Sequence, residues 1–314
     1  MLSITGKPYD TLDEVIGIRD AHGAGSLKEY GISYRQLELN NEGMIDHDAI
    51  EGAIGDNTRL VFIQRSRGYA WRPPVTVSEM AKVVKRVKAI RSDIFIMVDN
   101  CYGEFVEVKE PTDVGVDVMA GSLIKNPGGG LVPSGGYIAG TKKAVEKIAY
   151  RLTLPGIGRE VGATLGHNRL MFQGFFMAPH VVAESLKGAV FTSMIMSRLG
   201  FETYPGINDV RCDLIQAIRF NRDDAVIAFC QGIQKGSPVD SFVSPIPWDM
   251  PGYDSPVIMA AGAFIQGSSI ELSADAPIKP PYIAYMQGGL VYEHVKLGVM
   301  RAIQELTARG IISL

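Results

Sequence analysis

Short apolar runs alternate with amphipathic stretches along the first half of the chain. Buried-strand patterns occur in RLVFIQ at 59–64 and DIFIMVDN at 93–100, with weaker ones in the opening LSIT and in GGYIAG. The intervening stretches TLDEVIGIR, TKKAVEKIAYRL and the one after Thr76 place apolar residues on one helical face. Strands that alternate with helices predict an α/β domain with a mostly parallel sheet covered on both faces.

Two of these helices are predicted to begin with a capping box. Thr11 is followed three residues later by Glu14, and Thr76 by Glu79, the spacing at which two side chains cap each other's backbone amides. The basic stretch KVVKRVKAIR lies in the second helix. Its valines and isoleucine fall on one face, so its lysines and arginines are expected on the solvated face, with a binding patch as the alternative.

The pattern changes at about residue 167, where a long and mostly apolar helical stretch begins. After it come the strand pattern DLIQAIRF, the helix NRDDAVIAFCQGIQKG, the strand patterns VIMAAGAFI and SSIELSA, and a final helix from about residue 291. This order predicts a smaller C-terminal α+β domain. We expect the large domain to span residues 1–185 and the small domain 186–314, linked by the long apolar helix.

Composition narrows the possible functions. The 314 residues are 46% hydrophobic with a formal net charge of −3, which indicates a large core and no general attraction to nucleic acid or anionic lipid. No apolar run is long enough to span a membrane. The three scattered cysteines favour a reducing cytoplasm over a disulfide framework, and the five scattered histidines predict no metal site.

One lysine, Lys125, stands beside a cluster of glycines in GSLIKNPGGG at 121–130. Asp99 directly follows the apolar run IFIMV, and Lys125 comes 26 residues later, just beyond the next predicted strand. Ligands of open α/β sheets bind outside the carboxyl ends of the strands, so we expect the carboxylate and the amine to converge there. Ser122 adds a hydroxyl, and Gly128–Gly130 are expected to let the backbone approach a ligand.

Pyridoxal 5'-phosphate requires this set of groups. Its aldehyde needs a lysine amine, its ring nitrogen needs a carboxylate, and its phosphate needs hydroxyl and backbone donors. Lys125, Asp99 and Ser122 would supply all three. Two structural roles stay open at this stage: Lys125 as an ordinary surface-loop lysine, and Asp99 as an aspartate that caps a turn.

Several segments carry a family resemblance. The succession DNCYGEF, GVD, GSLIKNPGG and GGYIAG resembles, in order and spacing, the cofactor region of fold-type-I pyridoxal-phosphate enzymes of the cystathionine and methionine gamma-lyase kind. More specifically, the chain resembles the methionine gamma-lyase-like family whose members are often labelled aluminium resistance proteins. The segments that carry this closer resemblance are ITGKPYDTLDEVIG, QRSRGYAWRP, SLIKNPGGG and YMQGGLVYEH.

The resemblance implies a fold-type-I enzyme, a carbon-sulfur lyase that acts on a sulfur-containing amino acid by removing its α-proton and eliminating the sulfur group. It implies that Lys125 is the Schiff-base lysine and the base, that Asp99 pairs with the ring nitrogen and that Ser122 binds the phosphate. Tyr9, in KPYDT, matches the tyrosine that stacks on the cofactor ring in these lyases. Its structural alternative is a partly buried loop aromatic.

Substrate binding and assembly also follow from the resemblance. Related lyases usually bind the substrate carboxylate with an arginine of the small domain, whereas SADAPIKPPY offers Lys279 here. Arg219 and Arg67 are further candidates, since a lysine lacks the bidentate fork of arginine. The resemblance implies sites built at a subunit boundary, so we expect a homodimer or homotetramer. The apolar stretch 170–196 could contribute to that boundary.

Two alternatives remain beside the lyase. Family members have a segment before the LSIT strand with a Gly-rich turn for the cofactor phosphate, and this chain opens directly on that strand. We therefore expect the chain alone to be a poor holoenzyme, and a fragment or a degenerate non-catalytic subunit is the alternative function. Ser122 and Lys125 also spell S-x-x-K of penicillin-recognising hydrolases, but the sequence has neither SDN nor KTG.

Overall fold

The computed structural model describes residues 1–19, 23–152 and 154–313. Within these residues, eleven strands form two sheets. The strands of the first sheet are β1 (Leu2–Ser3), β2 (Arg35–Gln36), β3 (Leu60–Gln64), β4 (Phe95–Asp99), β5 (Val118–Ser122) and β6 (Gly136–Gly140). Those of the second are β7 (Glu202–Tyr204), β8 (Gln216–Arg219), β9 (Val257–Ala260), β10 (Ser273–Pro277) and β11 (Ile283–Gln287).

Seven α-helices connect and cover the two sheets in the described part of the chain. They are α1 (Leu12–Ile16), α2 (Ala49–Ala53), α3 (Val77–Ile90), α4 (Lys142–Leu152), α5 (Asn168–Arg198), α6 (Asp223–Lys235) and α7 (Tyr292–Ala308). Short 3-10 turns occur at Leu27–Tyr30, Pro111–Val114 and Asn126–Gly128.

The first sheet has the strand order β2-β1-β3-β4-β5-β6. Strands β1 to β5 are parallel, and only the edge strand β6 runs antiparallel, beside β5. Valines and isoleucines of β3 and β4 pack against the apolar face of α3, and the shared core is fully buried. The predicted α/β domain with a mostly parallel sheet is confirmed.

The two predicted capping boxes have different outcomes. The hydroxyl of Thr76 accepts a hydrogen bond from the backbone amide of Glu79 at 3.1 Å, so this half of the second box is present. The carboxylate of Glu79 instead contacts His47 at 2.8 Å and also pairs with Lys82. The first box is wrong, because Thr11 has a helical backbone and makes no side-chain cap.

The basic face of α3 is mostly neutralised by neighbours. Lys88 forms an ion pair with Asp117 at 2.7 Å, and its ammonium also donates to the carbonyl of Ile94. Arg86 donates to the carbonyl of His47 at 2.7 Å. These side chains attach the helix to the sheet edge and to the preceding segment, so the structural interpretation of this stretch is favoured over a binding patch.

The second sheet is antiparallel throughout, with the order β7-β8-β11-β10-β9. Helices α6 and α7 lie against it and share a fully buried apolar core with it. The 31-residue helix α5 runs across the predicted domain boundary at residue 185, with one sheet before it in sequence and the other after it. The boundary itself stays a prediction.

Candidate functional site

The site begins at the edge where three parallel strands end together. Gln64 ends β3, Asp99 ends β4 and Ser122 ends β5. The register pairs Gln64 with Asp99 and Asp99 with Ala120, so the last residues of the three strands lie side by side. Lys125 follows Ser122 by three residues, which places its side chain above the same edge, as expected for a ligand site in an open sheet.

A cavity of about 250 Å³ opens above this edge. Its wall contains Tyr9, Asp99 and Lys125, so the structure brings together three of the residues predicted from the sequence. The second sheet closes the opposite side with residues of β10 and β11, together with Ile215 just before β8. The other lining residues are Thr11, Leu12, Gln64, Ser66, Gly68, Tyr69, Cys101, Tyr102, Ile215, Asp275, Tyr285 and Gln287.

The amine of Lys125 lies against an aromatic face. Its Nζ atom is 4.4 Å from the ring centroid of Tyr102, within the range of a cation–π interaction. Burial by itself lowers the pKa of Lys125, but the facing Tyr102, Cys101 and Asp99 outweigh it and raise the pKa above its ordinary value. In the cofactor-free chain Lys125 is therefore a cation at neutral pH.

Asp99 and Ser122 are fixed by local backbone contacts. The carboxylate of Asp99 accepts a hydrogen bond from the backbone amide of Cys101 at 3.1 Å, which orients it at the end of β4. The hydroxyl of Ser122 accepts from the amide of Ile124 at 3.3 Å. Ser122 is half-buried and lies outside the residues that line the cavity. Its assignment as a phosphate ligand stays a prediction.

Tyr9 is placed on the cavity wall by both domains. Its backbone amide donates to the side-chain oxygen of Gln64 at 2.6 Å, and its hydroxyl is hydrogen-bonded to that of Tyr253. Its ring meets Tyr69 edge-on, with 5.7 Å between centroids. Burial, and then the contact with Tyr253, raise the pKa of Tyr9, so its hydroxyl keeps its proton at neutral pH.

The glycines after Lys125 pack closely against neighbouring elements. A Cβ at Gly129 would lie 2.5 Å from the carbonyl oxygen of Gly174 in α5, and a Cβ at Gly130 would collide with Leu290. These glycines therefore allow the lysine loop to pack closely on α5. None of Gly128–Gly130 lines the cavity, and the expectation that they let the backbone approach a ligand stays a prediction; Gly68, which has a positive φ of 56°, lines the cavity beside Tyr9.

A second, smaller cavity adjoins the first. It measures about 170 Å³ and shares Tyr9, Gln64, Gly68 and Tyr69 with its neighbour. Two of the predicted carboxylate-binding candidates, Arg67 and Lys279, line it. The third, Arg219, lines neither cavity: its guanidinium stacks 4.1 Å from the ring centroid of Trp71 and pairs with Glu202 at 2.6 Å.

Arg67 is an unusual buried cation. Its Nη1 atom donates to the carbonyl of Tyr204 at 3.0 Å, and its Nε atom lies 3.9 Å from the carboxylate of Asp213. Its Nε and Nη2 atoms have no hydrogen-bond partner among the residues that the structure describes. The buried charge of Arg67 is therefore opposed by the Asp213 carboxylate, and two of its donors are left without a hydrogen bond.

No sequence pattern predicted the half of the cavity that the second sheet forms. Asp275 from β10, with Tyr285 and Gln287 from β11, faces Lys125 from the opposite wall. Tyr69 and Tyr102, from loops of the large domain, were also missed. Tyr102 lies three residues after Asp99, and this closeness is the sequence signal that could have found it. Asp275 lies 150 residues after Lys125, and no local pattern connects Asp275 to Lys125.

A buried polar network supports the segment that follows Asp99. The guanidinium of Arg65 donates to Asn100 at 2.6 Å and to Glu107 at 2.7 Å. Nearby, the Tyr137 hydroxyl donates to Glu104 at 2.9 Å, and the side chain of Asn126, next to Lys125, donates to the carbonyl of Glu104 at 3.0 Å. The network therefore connects the segments that carry the carboxylate and the amine.

The S-x-x-K hydrolase alternative is not supported by this geometry. A nucleophilic serine of that kind lies on a helix with the lysine one turn later, so that the two side chains meet. Ser122 instead ends a strand, and Lys125 follows in a loop.

Across the described ranges no cluster of three His, Cys, Asp or Glu side chains could bind a metal ion, and no helix is long and apolar enough to cross a membrane.

Comparisons with known proteins agree with this architecture. The sequence model of the methionine gamma-lyase family matches residues 1–307. The YnbB protein of Bacillus subtilis is 54% identical over 312 residues, which are 99% of this chain and 74% of YnbB. A 33.9 kDa protein encoded 5' of glnA in Lactobacillus delbrueckii subsp. bulgaricus is 48% identical, over 95% of this chain and 98% of that protein.

Solved structures of related proteins also resemble this chain. A carbon-sulfur lyase involved in aluminium resistance, from Clostridium novyi, superposes with a TM-score of 0.93 at 55% identity, over 98% of this chain and 72% of its own. Cystathionine gamma-lyase from Lactobacillus plantarum superposes with a TM-score of 0.60 at 15% identity, over 98% and 76%. The fold is that of the fold-type-I enzymes. The chain belongs to the methionine gamma-lyase family, a family of lyases.

The buried carboxyl of Glu104 generates a testable pH dependence. Burial, more than any other cause, raises the pKa of Glu104 to about 8, whereas an unfolded chain has an ordinary glutamate pKa. The folded state therefore binds the proton more tightly, so its stabilising effect is complete at acid pH and is lost as the pH rises towards 8. From pH 5 to 8, the wild-type chain should lose up to about 1.4 kcal/mol per pH unit more than Glu104→Gln.

Urea unfolding of both chains across this pH range measures the difference. The exposed Glu42→Gln variant is the matched control and should follow the wild type. Asp275, whose pKa burial raises to about 6, is present in all three chains, so its contribution cancels. Parallel curves for the wild type and Glu104→Gln would contradict the assignment of a protonated, buried Glu104.

Proposed function

We propose that the chain is a pyridoxal 5'-phosphate-dependent carbon-sulfur lyase that acts on a sulfur-containing amino acid. The single observation that carries the proposal is the convergence of the Lys125 amine, the Asp99 carboxylate and the Tyr9 ring on one 250 Å³ cavity. Family membership supports the lyase class. The Clostridium novyi protein described as a carbon-sulfur lyase supports the reaction type.

The residues present fit the cofactor. The cavity offers a buried lysine amine for the aldehyde, a backbone-oriented carboxylate for the ring nitrogen and an aromatic ring to stack on the pyridine. Thr11 and Ser66 line the same cavity, and their hydroxyls could donate to a phosphate; Ser122 ends the neighbouring strand β5 without lining the cavity. When bound, the cofactor supplies an electron sink for the negative charge that develops at the α-carbon.

Lys125 is proposed to attach the cofactor and then, at its Nζ atom, to accept the α-proton of the substrate. Asp99, oriented by the amide of Cys101, would pair with the ring nitrogen and favour its protonated form. The raised pKa of Tyr9 keeps its hydroxyl protonated at neutral pH, so Tyr9 would lie against the cofactor as a neutral phenol. Lys125, whose pKa is raised in the chain without cofactor, must lose a proton when the cofactor binds.

Arg67 is proposed to bind the substrate carboxylate. Its two unsatisfied donors lie among described residues at the cavity that adjoins the lysine pocket, and an arginine fork suits a carboxylate. Lys279 lines the same cavity and adds positive charge there. Arg219 is a weaker candidate, because Trp71 and Glu202 already occupy its guanidinium.

The homodimer or homotetramer expected from the resemblance remains a prediction. The start of α5 supports it, because Phe172 and Phe176 are 78% and 81% exposed on neighbouring turns. Apolar side chains exposed to this degree on one helix face are typical of protein interfaces. Lys125 is connected to this helix through the glycine loop, so an interface there would lie close to the site.

Lys125→Ala provides the direct test of the proposed chemistry. Without the amine, titration with pyridoxal 5'-phosphate should give no visible absorbance change, borohydride should fix no cofactor to the chain, and thiol release from cystathionine, methionine or cysteine should be lost. Lys142→Ala, at an exposed lysine of α4, is the control and should behave as wild type. Retained attachment or turnover in Lys125→Ala would remove this lysine from its role.

The same titration separates the lyase from its alternative. Asp99→Ala should still attach the cofactor but turn over poorly, because the ring nitrogen loses its partner. A wild-type chain that takes up cofactor and releases thiol is the lyase. A wild-type chain with neither property would be the non-catalytic subunit that the sequence left open.

Arg67→Lys tests the carboxylate site. The substitution keeps the charge but removes the fork, so one charge-assisted hydrogen bond worth about 1.5–3 kcal/mol is lost and the KM should rise about 10- to 100-fold. Steady-state kinetics measures KM and kcat, and Arg222→Lys, at an exposed arginine, is the matched control. An unchanged KM in a normally folded Arg67→Lys chain would exclude this assignment.

A further inference from the structure

Tyr102 has a backbone conformation that tyrosine rarely adopts. Its φ is 70°, in the left-handed region, where any residue with a side chain is crowded. It lies three residues after Asp99 and lines the cavity that contains Lys125. Strained backbone of this kind persists only where the surrounding structure fixes it, and it is concentrated at functional sites. The contacts of Tyr102 should therefore show both what holds the strain and what the strain achieves.

Contacts around β4 and β5 fix the turn that carries Tyr102. The backbone amide of Asn100 donates to the carbonyl of Ala120 at 2.8 Å, and the Asn100 side chain accepts from the buried Arg65 at 2.6 Å. The amide of Gly103 donates back to the carbonyl of Asn100 at 3.0 Å. A Cβ at Gly103 would lie 2.3 Å from the Nε atom of Arg65, so the chain is in close contact with this arginine. The turn therefore has little freedom to relax.

The second sheet holds Tyr102 from the other side of the cavity. Leu214, which precedes β8, donates its backbone amide to the carbonyl of Tyr102 at 3.1 Å. The side chain of Tyr102 packs against a buried apolar cluster of this sheet, formed by Ile215, Ala217, Ile283 and Tyr285. The strained residue is thus fixed through both its backbone and its ring.

The position of the Tyr102 ring is the result of this arrangement. Its centroid lies 4.4 Å from the Nζ atom of Lys125, so the ring presents an aromatic face to the ammonium. No carboxylate of the described residues lies within ion-pair distance of this amine. Cys101 and Asp99 also face it, but Asp99 accepts its hydrogen bond from the amide of Cys101. The aromatic face is therefore the main contact that locates the free amine.

We propose that Tyr102 is the positioning residue for Lys125, whose amine its ring holds at the ends of β4 and β5 whenever that amine is not bonded to the cofactor. The proposal rests on the proposed lyase function, in which the released Lys125 must accept the α-proton at its Nζ atom. A lysine side chain has many rotamers, and an amine without a fixed place would seldom meet the α-carbon in a reactive geometry.

The aromatic face also suits the change of charge at Lys125. A cation–π contact attracts the ammonium and not the neutral amine, so the ring does not oppose loss of the proton through a bond that must be broken. When the neutral amine accepts the α-proton, it becomes the ammonium that the ring stabilises. Tyr102 would therefore favour proton uptake while keeping the amine in place.

The contact has a spectroscopic signature in the cofactor-free chain. Reductive methylation with isotope-labelled formaldehyde labels lysine amines and keeps their charge, and Lys125→Ala assigns the Lys125 signal by its absence. An aromatic ring current shifts methyl groups above its face upfield. The Lys125 methyl signal should therefore lie upfield of that of an exposed lysine such as Lys142 in the NMR spectrum. A Lys125 signal that coincides with those of exposed lysines would overturn the proposal.

Two substitutions separate the ring of Tyr102 from the rest of its side chain. Tyr102→Phe keeps the aromatic face and should keep the upfield signal. Tyr102→Met fills the space with a flexible apolar chain but has no aromatic face, so the upfield shift should be lost. Tyr282→Met is the matched control, because Tyr282 also has a positive φ, of 56°, and lines neither cavity. It should leave the Lys125 signal unchanged.

Tyr102→Asn keeps the test decisive if Tyr102→Met does not fold. Asparagine tolerates a positive φ better than most residues with side chains, and it also lacks a ring. It too should lose the upfield shift. An upfield signal that persists in Tyr102→Met or Tyr102→Asn would show that Tyr102 does not hold the amine.

Turnover gives the second readout. In the loaded enzyme, Tyr102→Met should lower kcat about 10- to 100-fold, as expected for displacement of a reacting group. KM should change little, because Tyr102 does not line the cavity that contains Arg67. Tyr102→Phe should keep most of the wild-type kcat, and Tyr282→Met should keep all of it. Equal losses in Tyr102→Phe and Tyr102→Met would assign the effect to the hydroxyl and contradict a role for the ring.

The positioning role and the lyase function fail in different ways. A Lys125 signal without the upfield shift would overturn the positioning role alone, even in a chain that takes up cofactor and releases thiol. A chain that shows the shift but neither takes up cofactor nor releases thiol would overturn the proposed function, and the positioning role with it.

Discussion

Parallel pairing of β3, β4 and β5 is the constraint on which the rest of the structure depends. Parallel strands end at one edge, and the register places Asp99 beside both Gln64 and Ala120. Lys125 can reach the same edge only because β5 ends at Ser122 and the chain turns immediately afterwards. A slip of one residue in this pairing would turn the Asp99 carboxylate to the opposite face of the sheet.

The second sheet completes the site from the other side. Asp275, Tyr285 and Gln287 lie on two adjacent antiparallel strands, and Tyr285 donates to the backbone of Tyr69 in the large domain. Tyr253, also from the small domain, bonds to Tyr9. The cavity therefore exists only when the two parts of the chain are packed together, so the geometry of the site depends on tyrosine contacts between them.

The two buried arginines near the site, Arg65 and Arg67, differ in how many of their donors are hydrogen-bonded. Arg65, fully buried, donates from its two terminal nitrogens to Asn100 and Glu107 and anchors the segment after Asp99, while its Nε has no hydrogen-bond partner among the described residues. Arg67, equally buried and two residues along, keeps two donors without partners in the part of the chain that is described. Arg67 also lies 3.9 Å from the buried Asp213 carboxylate, so its proposed role in binding an anion rests on the two donors that this ion pair leaves without a hydrogen bond.

Local sequence patterns were sufficient to predict several strands and helices and two residues of the candidate site. The strands through Phe95–Asp99 and the helix from Val77 follow from apolar periodicity, and Asp99 and Lys125 follow from the rule on strand ends. The β10 strand was placed too early, because SSIELSA is apolar enough to resemble a strand while pairing begins at Ser273. Asp275 could not be predicted, because its approach to Lys125 depends on packing between sheets.

The central claim is that Lys125, Asp99 and Tyr9 form a pyridoxal phosphate site. The most direct measurement is a crystal structure of the chain grown with pyridoxal 5'-phosphate. The account predicts electron density continuous from the Nζ atom of Lys125 into a ring that stacks on Tyr9, with the ring nitrogen within hydrogen-bond distance of Asp99. Density for the cofactor elsewhere, or a ring whose nitrogen points away from Asp99, would contradict it.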